Sequence, residues 1–218
     1  MPLMSDKDRE AVRKEFTQLP NPVKLVMFTQ ENECMYCRET RELLTELPTL
    51  SDKLSLEVYD FVKDKDKAEA FGVDKIPATV VMGGEDYGIR YYGIPAGYEF
   101  ASMLMAVKMI SSGKSELSDE SRNYLKSLEK EVHLQVFVTP TCPYCPAMVV
   151  LAHQMAFESP KVQGDMVEIS EFPHLSHKYN VMGVPRTVIN GKHSVEGRVP
   201  EAMLLSQIKL ALYNEKKS

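Results

Sequence analysis

The sequence predicts an α/β fold written twice, each copy running βαβαββα, and two observations carry the prediction. The first is internal repetition: 142 − 34, 145 − 37 and 185 − 77 are all 108, so one shift carries Cys34 to Cys142, Cys37 to Cys145 and Pro77 to Pro185. The same shift aligns Tyr36 with Tyr144, Phe71 with Tyr179 and Val73 with Val181. The second is periodicity. Each cysteine pair follows a short apolar run and precedes an apolar stripe at helical spacing, Leu43, Leu44 and Leu47 in one copy and Leu151, Ala152 and Met155 in the other.

The elements follow in order. Ser5-Asp6 and Ser118-Asp119 read as N-caps of an extra charged helix ahead of each copy. Residues 23–28 and 133–138 are apolar enough for a buried first strand. Each cysteine pair then opens an amphipathic helix, and a second strand follows at 54–60 and 165–169, which completes a βαβ unit of the length a right-handed crossover needs. Short helices at 64–71 and 174–179 lead to Ile76-Pro77 and Val184-Pro185. The β-branched runs 79–81 and 187–189 reach turn signals at Gly83-Gly84 and Asn190-Gly191, which predicts a closing hairpin in each copy. From Thr79 to Gly93 the first hairpin takes 15 positions, and from Thr187 to Gly197 the second takes 11. Final helices are expected at 98–110 and 200–213, with Pro200 suited to a first turn. The stretch 111–115, Ser-Ser-Gly-Lys-Ser, is of linker type, so the domains are placed at 1–115 and 116–218.

Bulk properties narrow the function. The chain has 218 residues, enough for two small domains, and its net charge of −5 comes from 31 acidic and 26 basic residues mixed along it. With no basic arm or stripe, nucleic acid is not an expected partner. The start, Met1-Pro2-Leu3-Met4-Ser5-Asp6-Lys7-Asp8, lacks the basic and apolar segments of a secretion signal, and no apolar run approaches the ~20 residues of a membrane span. A cytoplasmic location without membrane contact is expected. All four cysteines fall in two Cys-x-x-Cys pairs, which in such a compartment means redox chemistry or metal.

Disulfide exchange needs a thiolate to attack and a second thiol to resolve the mixed disulfide. A Cys-x-x-Cys at a helix start supplies both, since free amides and the macrodipole favour an anion at the first sulfur. Cys34 and Cys142 are therefore assigned as nucleophiles, Cys37 and Cys145 as resolving thiols. Glu31 and Glu33 oppose thiolate formation at Cys34, whereas Thr139-Pro140-Thr141 puts no charge beside Cys142, so Cys142 is expected to be the more reactive. Pro143 is expected to stiffen the first helical turn there. Ile76, Pro77, Val184 and Pro185 are candidates for substrate binding, by strand addition of an extended chain to the residue before each proline. Zinc held by four thiolates is the rival reading, opposed by the 105 positions between Cys37 and Cys142 and by the placement of each pair in its own copy. Non-catalytic redox sensing and an electron relay to a peroxidase are further alternatives. His174 and His177 shift back to Asp66 and Glu69 and read as a solvated helix surface.

With these residues assembled, the sequence resembles the thioredoxin and glutaredoxin superfamily. Thr141-Cys142-Pro143-Tyr144-Cys145 is similar to the glutaredoxin active-site motif, and the whole chain resembles the glutaredoxin-like protein disulfide oxidoreductases of thermophiles. The resemblance implies two tandem thioredoxin-like domains with mixed central sheets, redox-active disulfides Cys34–Cys37 and Cys142–Cys145 in place of any other cofactor, and cis peptide bonds at Pro77 and Pro185. It also implies protein dithiol–disulfide exchange, with a thioredoxin-reductase-like flavoenzyme as electron donor. Two departures stand out. The chain has no tryptophan, and Phe28 and Val136 stand where thioredoxins carry a buried aspartate, which leaves proton transfer without an obvious carboxylate.

Overall fold

The computed structural model describes residues 3–215, so Met1 and Pro2 of the N-terminal reading lie outside it. Among the described residues, eight α-helices and eight strands follow the expected order: α1 (Asp6–Phe16), β1 (Val23–Thr29), α2 (Cys37–Glu46), β2 (Leu54–Asp60), α3 (Lys65–Ala70), β3 (Ala78–Met82), β4 (Ile89–Tyr92) and α4 (Glu99–Ser112) form the first copy. In the second are α5 (Asp119–Lys126), β5 (Val132–Val138), α6 (Cys145–Glu158), β6 (Val162–Glu168), α7 (Pro173–Lys178), β7 (Arg186–Ile189), β8 (His193–Glu196) and α8 (Glu201–Glu215). The two helices ahead of the copies start as their sequences dictate. Ser5 Oγ accepts from the Asp8 N–H and Ser118 Oγ from the Ser121 N–H, each occupying an amide that the helix itself leaves unpaired.

One difference from the sequence expectation concerns the sheets. Instead of two separate sheets there is one of eight strands, ordered β2-β1-β3-β4-β6-β5-β7-β8. The join is parallel, with Ile89, Arg90, Tyr91 and Tyr92 opposite Gly164, Asp165, Met166 and Val167. Strand β6 also begins at Val162, three residues earlier than expected, because Gln163-Gly164-Asp165 looks polar in sequence yet is covered at this junction. There the Asp165 carboxylate, fully buried, meets His133 Nε2 at 2.5 Å and the Gln163 amide at 2.9 Å, so its burial is compensated by hydrogen bonds.

Alternation along each strand assigns side chains to two apolar layers. Leu25 and Met27 of β1, Leu134 and Val136 of β5 and Met166 of β6 belong to a large core together with α1, α2, α4, α5, α6 and α8. Val26, Phe28, Phe137 and Val167 face the other way, under α3 and α7. Helix α6 lies in the middle of the larger layer, packed on α4, α5, β4, β5 and β6. This explains why it is apolar nearly all round rather than amphipathic. His153, near its centre, is 1% exposed, edge-on to Tyr91, with Nε2 3.3 Å from the Arg90 carbonyl oxygen. Burial pushes its pKa down to about 4, so it is a neutral core imidazole at physiological pH.

Residues 113–118, between α4 and α5, are polar apart from the buried Leu117, and they are tied down. Ser115 Oγ donates to Glu158 at 2.5 Å and Ser118 Oγ to Glu201 at 2.6 Å, and Ser111 just before them exchanges hydrogen bonds with Asn21. No helix among the described residues is long and apolar enough to cross a membrane.

Candidate functional site

Parallel strands β1 and β5 end at the same edge of the sheet, and the chain leaving each of them carries a cysteine pair. Cys34 and Cys37 form a disulfide with Cα atoms 5.5 Å apart, and so do Cys142 and Cys145. Strand order separates β1 from β5 by four steps of ~4.8 Å, so the two disulfides stand about 20 Å apart along one edge. Sulfur cannot pass electrons to sulfur across that gap without a carrier.

Each helix opens on the second cysteine of its pair. Cys37 and Cys145 are the first helical residues, so Cys34 and Cys142 sit just beyond the N-terminus, in the zone where the unpaired amides of the first turn point. Pro143 accordingly lies in the loop before α6, and the proline in the first turn is Pro146. The two pairs differ in cover. Cys142 is 7% exposed and Cys145 is fully buried, both within the main apolar core, while Cys37 is buried and Cys34 half-exposed. Glu31 and Glu33 are exposed beside Cys34, and Glu33 takes a left-handed backbone with φ 57°.

The prolines come to the same edge from the antiparallel strands. Ile76-Pro77 and Val184-Pro185 are cis, and the ladders place Ala78 opposite Phe28 and Arg186 opposite Phe137, each at the end of the strand that leads to a cysteine pair. Strands β3 and β7 begin only at Ala78 and Arg186, so Ile76 and Val184 lie outside the sheet ladders and are half-buried. Behind them, the Gly93 N–H donates to the Pro77 carbonyl and the Gly197 N–H to the Pro185 carbonyl, at 2.9 and 2.8 Å. Around the openings stand exposed apolar side chains, Met35 and Tyr36 by the first pair, and Tyr144 and Met182 by the second.

Three carboxylates near these centres escaped the sequence reading. Glu99 is 1% exposed in the first turn of α4, a helix packed on α6; the preceding residue, Tyr98, donates its N–H to the Pro140 carbonyl at 3.0 Å, two residues ahead of Cys142. Its Oε2 accepts from Ser102 Oγ at 2.7 Å and its Oε1 has no partner. Burial pushes this carboxyl up to about 7, against the Ser102 hydroxyl that favours the anion. Glu168 is buried at the end of β6, and Glu171 follows in the next turn with Oε1 held by the Ile94 N–H at 2.7 Å. The repeat gives no hint of two of them: the shift of 108 carries Glu99 to Gln207 and Glu171 to Lys63, and only Glu168 meets another carboxylate, Asp60. The one sequence signal was a glutamate at the head of the mostly apolar run that became α4. Among the described residues no group of three or more histidine, cysteine, aspartate or glutamate side chains could hold a metal ion.

Comparison with known proteins agrees with this geometry. A solved structure of a protein disulfide oxidoreductase from Aeropyrum pernix is 34% identical, superposes with a TM-score of 0.90 and covers 95% of this chain and 93% of its own. The chain belongs to the thioredoxin-fold protein disulfide oxidoreductases. A family profile described as a thioredoxin domain matches residues 132–209 of this oxidoreductase. It is also similar to a structure of the alkylhydroperoxide reductase AhpF from Enterococcus faecalis, with 28% identity, a TM-score of 0.87 and coverage of 94% and 99%. Among curated relatives, the corresponding alkyl hydroperoxide reductase protein of Staphylococcus aureus is 29% identical over 171 residues, which are 78% of this chain. The chain spans about a third of that relative's length, 31%.

Proposed function

We propose that this oxidoreductase exchanges disulfides in protein substrates through two separate centres, Cys34–Cys37 in residues 1–115 and Cys142–Cys145 in residues 116–218. The observation that carries the reading is the placement of both disulfides just off helix N-termini at one sheet edge, each beside a proline-led strand whose preceding residue, Ile76 or Val184, lies outside the ladder. In the reducing direction the Cys34 or Cys142 thiolate attacks a substrate disulfide and releases one substrate thiolate. Cys37 or Cys145 then attacks the mixed disulfide, forms the internal disulfide and expels the second thiolate. Ile76-Pro77 and Val184-Pro185 hold the extended substrate through the backbone, and the exposed Tyr36, Met35, Tyr144 and Met182 supply apolar contact. Glu99, buried with one free oxygen at the start of α4 and poised near neutrality, takes the proton of Cys145 as it attacks, in place of the aspartate that Val136 lacks.

Electrons are supplied by a thioredoxin-reductase-like flavoenzyme, and exchange takes place in the cytoplasm. A second reading, relay of electrons from a flavoprotein to a peroxidase, is favoured by the likeness to two alkyl hydroperoxide reductases. The two readings share their sulfur chemistry and differ in the acceptor. Catalysed reduction of insulin by dithiothreitol tests the first: turnover well above the uncatalysed rate is expected, and a rate equal to it with all four thiols intact would leave only the relay.

A further inference from the structure

The first centre has no buried carboxylate of its own, since Phe28 occupies the place on β1 and faces the smaller core. The C-terminal half brings one to it. Strand β4 runs out into Gly93, whose N–H is bonded to the Pro77 carbonyl, so Gly93 backs directly onto the proline of the first centre. Against the other side of Gly93 lie Glu168 and Glu171: a Cβ built there would come within 2.7 Å of Glu168 Cβ and of Glu171 Oε1, and φ there is 95°, so only glycine lets the turn after β6 come this close. Glu171 is fixed in place at both ends. Its N–H donates to Glu168 Oε2 at 2.9 Å, and its Oε1 accepts from the Ile94 N–H. Its Oε2 is buried and has no hydrogen-bond partner.

We propose that Glu171, a residue of the C-terminal half, is the positioning and proton-accepting carboxylate of the Cys34–Cys37 centre. The inference rests on the reading of that centre as an exchange site. During resolution the Cys37 thiol gives its proton, through water in the cleft, to the Glu171 carboxylate while its sulfur attacks Cys34. The Cys34–Cys37 bond forms, the bond from Cys34 to the substrate sulfur breaks, and the electron pair leaves on the substrate thiolate. Glu171 then passes the proton to that thiolate, which restores the carboxylate. The charged groups facing Glu171 are Glu168 from β6 and Glu39 from α2, two residues after Cys37. Burial foremost, opposed by the Ile94 N–H and assisted by these two carboxylates, pushes Glu171 up to about 7, which suits a group that must take and return a proton near neutrality. The two halves thus exchange carboxylates, Glu99 of the first reaching the second centre and Glu171 of the second reaching the first.

The test uses the full chain with Cys142→Ser and Cys145→Ser, reduced and mixed with 5,5′-dithiobis(2-nitrobenzoate), which releases one coloured thiolate when Cys34 attacks and a second when Cys37 resolves. The second phase is expected to rise with pH through an inflection near 7. Glu171→Gln, which keeps an oxygen for the Ile94 N–H, removes that inflection and slows the second phase at neutral pH by about 10²-fold, with the first phase spared. Glu171→Asp regains the inflection in part. A Gln variant whose second phase keeps its rate and its inflection overturns the inference, as does equal slowing of both phases, which marks a structural role only. An absent first phase in the parent protein sinks the exchange reading itself along with it.

Discussion

The cysteine pair of the N-terminal half sits over the outer part of the sheet, and that of the C-terminal half sits over its middle. Their spacing is matched residue for residue by the repeat, yet their surroundings differ. Helix α2 packs on β1 and the short 3₁₀ turn after it, and presents its other side to water, whereas α6 is enclosed by α4, α5 and three strands. The cause is the head-to-tail join of β4 to β6, which converts one edge of each copy into the interior of a common sheet. A duplicated sequence therefore yields two centres with different cover: exposed Glu31 and Glu33 beside a half-exposed Cys34, and an apolar surround about Cys142. Burial alone would raise the Cys142 thiol, but burial also strengthens the pull of the α6 amides on its anion, while at Cys34 every nearby carboxylate opposes the charge.

The comparison breaks first at the sulfurs. Cys142→Ser with Cys145→Ser is expected to cost at least about tenfold more insulin-reducing turnover than Cys34→Ser with Cys37→Ser, because a lower thiolate pKa leaves more nucleophile at neutral pH. Thiolate absorbance titrated in each double variant checks the ordering, and a lower pKa at Cys34 would reverse the assignment.

A smaller effect separates the joined edge from the free one. Gly93 and Gly197 make the same bond to a proline carbonyl and both have positive φ, but only Gly93 touches the other half; around a Cβ at Gly197 there is nothing within 4 Å. Gly197→Ala should cost about 1–2 kcal/mol, the left-handed penalty alone. Gly93→Ala should cost about 2–5 kcal/mol, since overpacking against Glu168 and Glu171 is added to it. Urea midpoints of the two variants measure the difference, and equal losses would mean that the join yields without strain.

Next comes the pH dependence of stability. Glu99 holds its proton up to about 7 in the folded chain but only to about 4.5 when unfolded. The folded state thus binds the extra proton between those values, so this contribution to stability is complete below about 4.5 and is lost as pH rises through 7. Glu99→Gln should therefore stabilise the protein at pH 8 relative to pH 4.5 by about 2–3 kcal/mol. Melting curves of both proteins at the two pH values test it; a pH-independent difference would mean that the carboxyl is already ionised at low pH. Smallest of all, Glu31→Gln with Glu33→Gln should lower the Cys34 pKa by only a few tenths, because both carboxylates are exposed and screened by water and salt.

Much of this molecule was legible in its residues. Repeat, caps and periodicity located all sixteen elements, since each depends on neighbours within a few positions: Ser118 occupies an amide three residues on, and Leu25 and Met27 alternate with Val26 and Phe28 whatever lies across the sheet. The cysteine pairs and prolines could be paired across the copies by a single offset. Fine placement was less legible. Starting α2 and α6 at the second cysteine, or β6 at Val162, depends on which amides and polar side chains find cover.

Glu99 and Glu171 could not be found in this way, because what distinguishes them is a buried oxygen left without a partner, which the packing of the finished molecule sets. By itself the sequence determined two copies of one αβ unit, each with a dithiol at a strand-to-helix turn. Only the tertiary structure decided that β4 would pair with β6, that His153 and Asp165 would be buried at that join, and that Glu99 and Glu171 would each keep a buried carboxylate oxygen without a hydrogen-bond partner. The physical reason is one of range: hydrogen-bond caps and side-chain alternation act between near neighbours in the chain, while desolvation of a carboxyl is set by everything packed around it, wherever in the sequence that comes from.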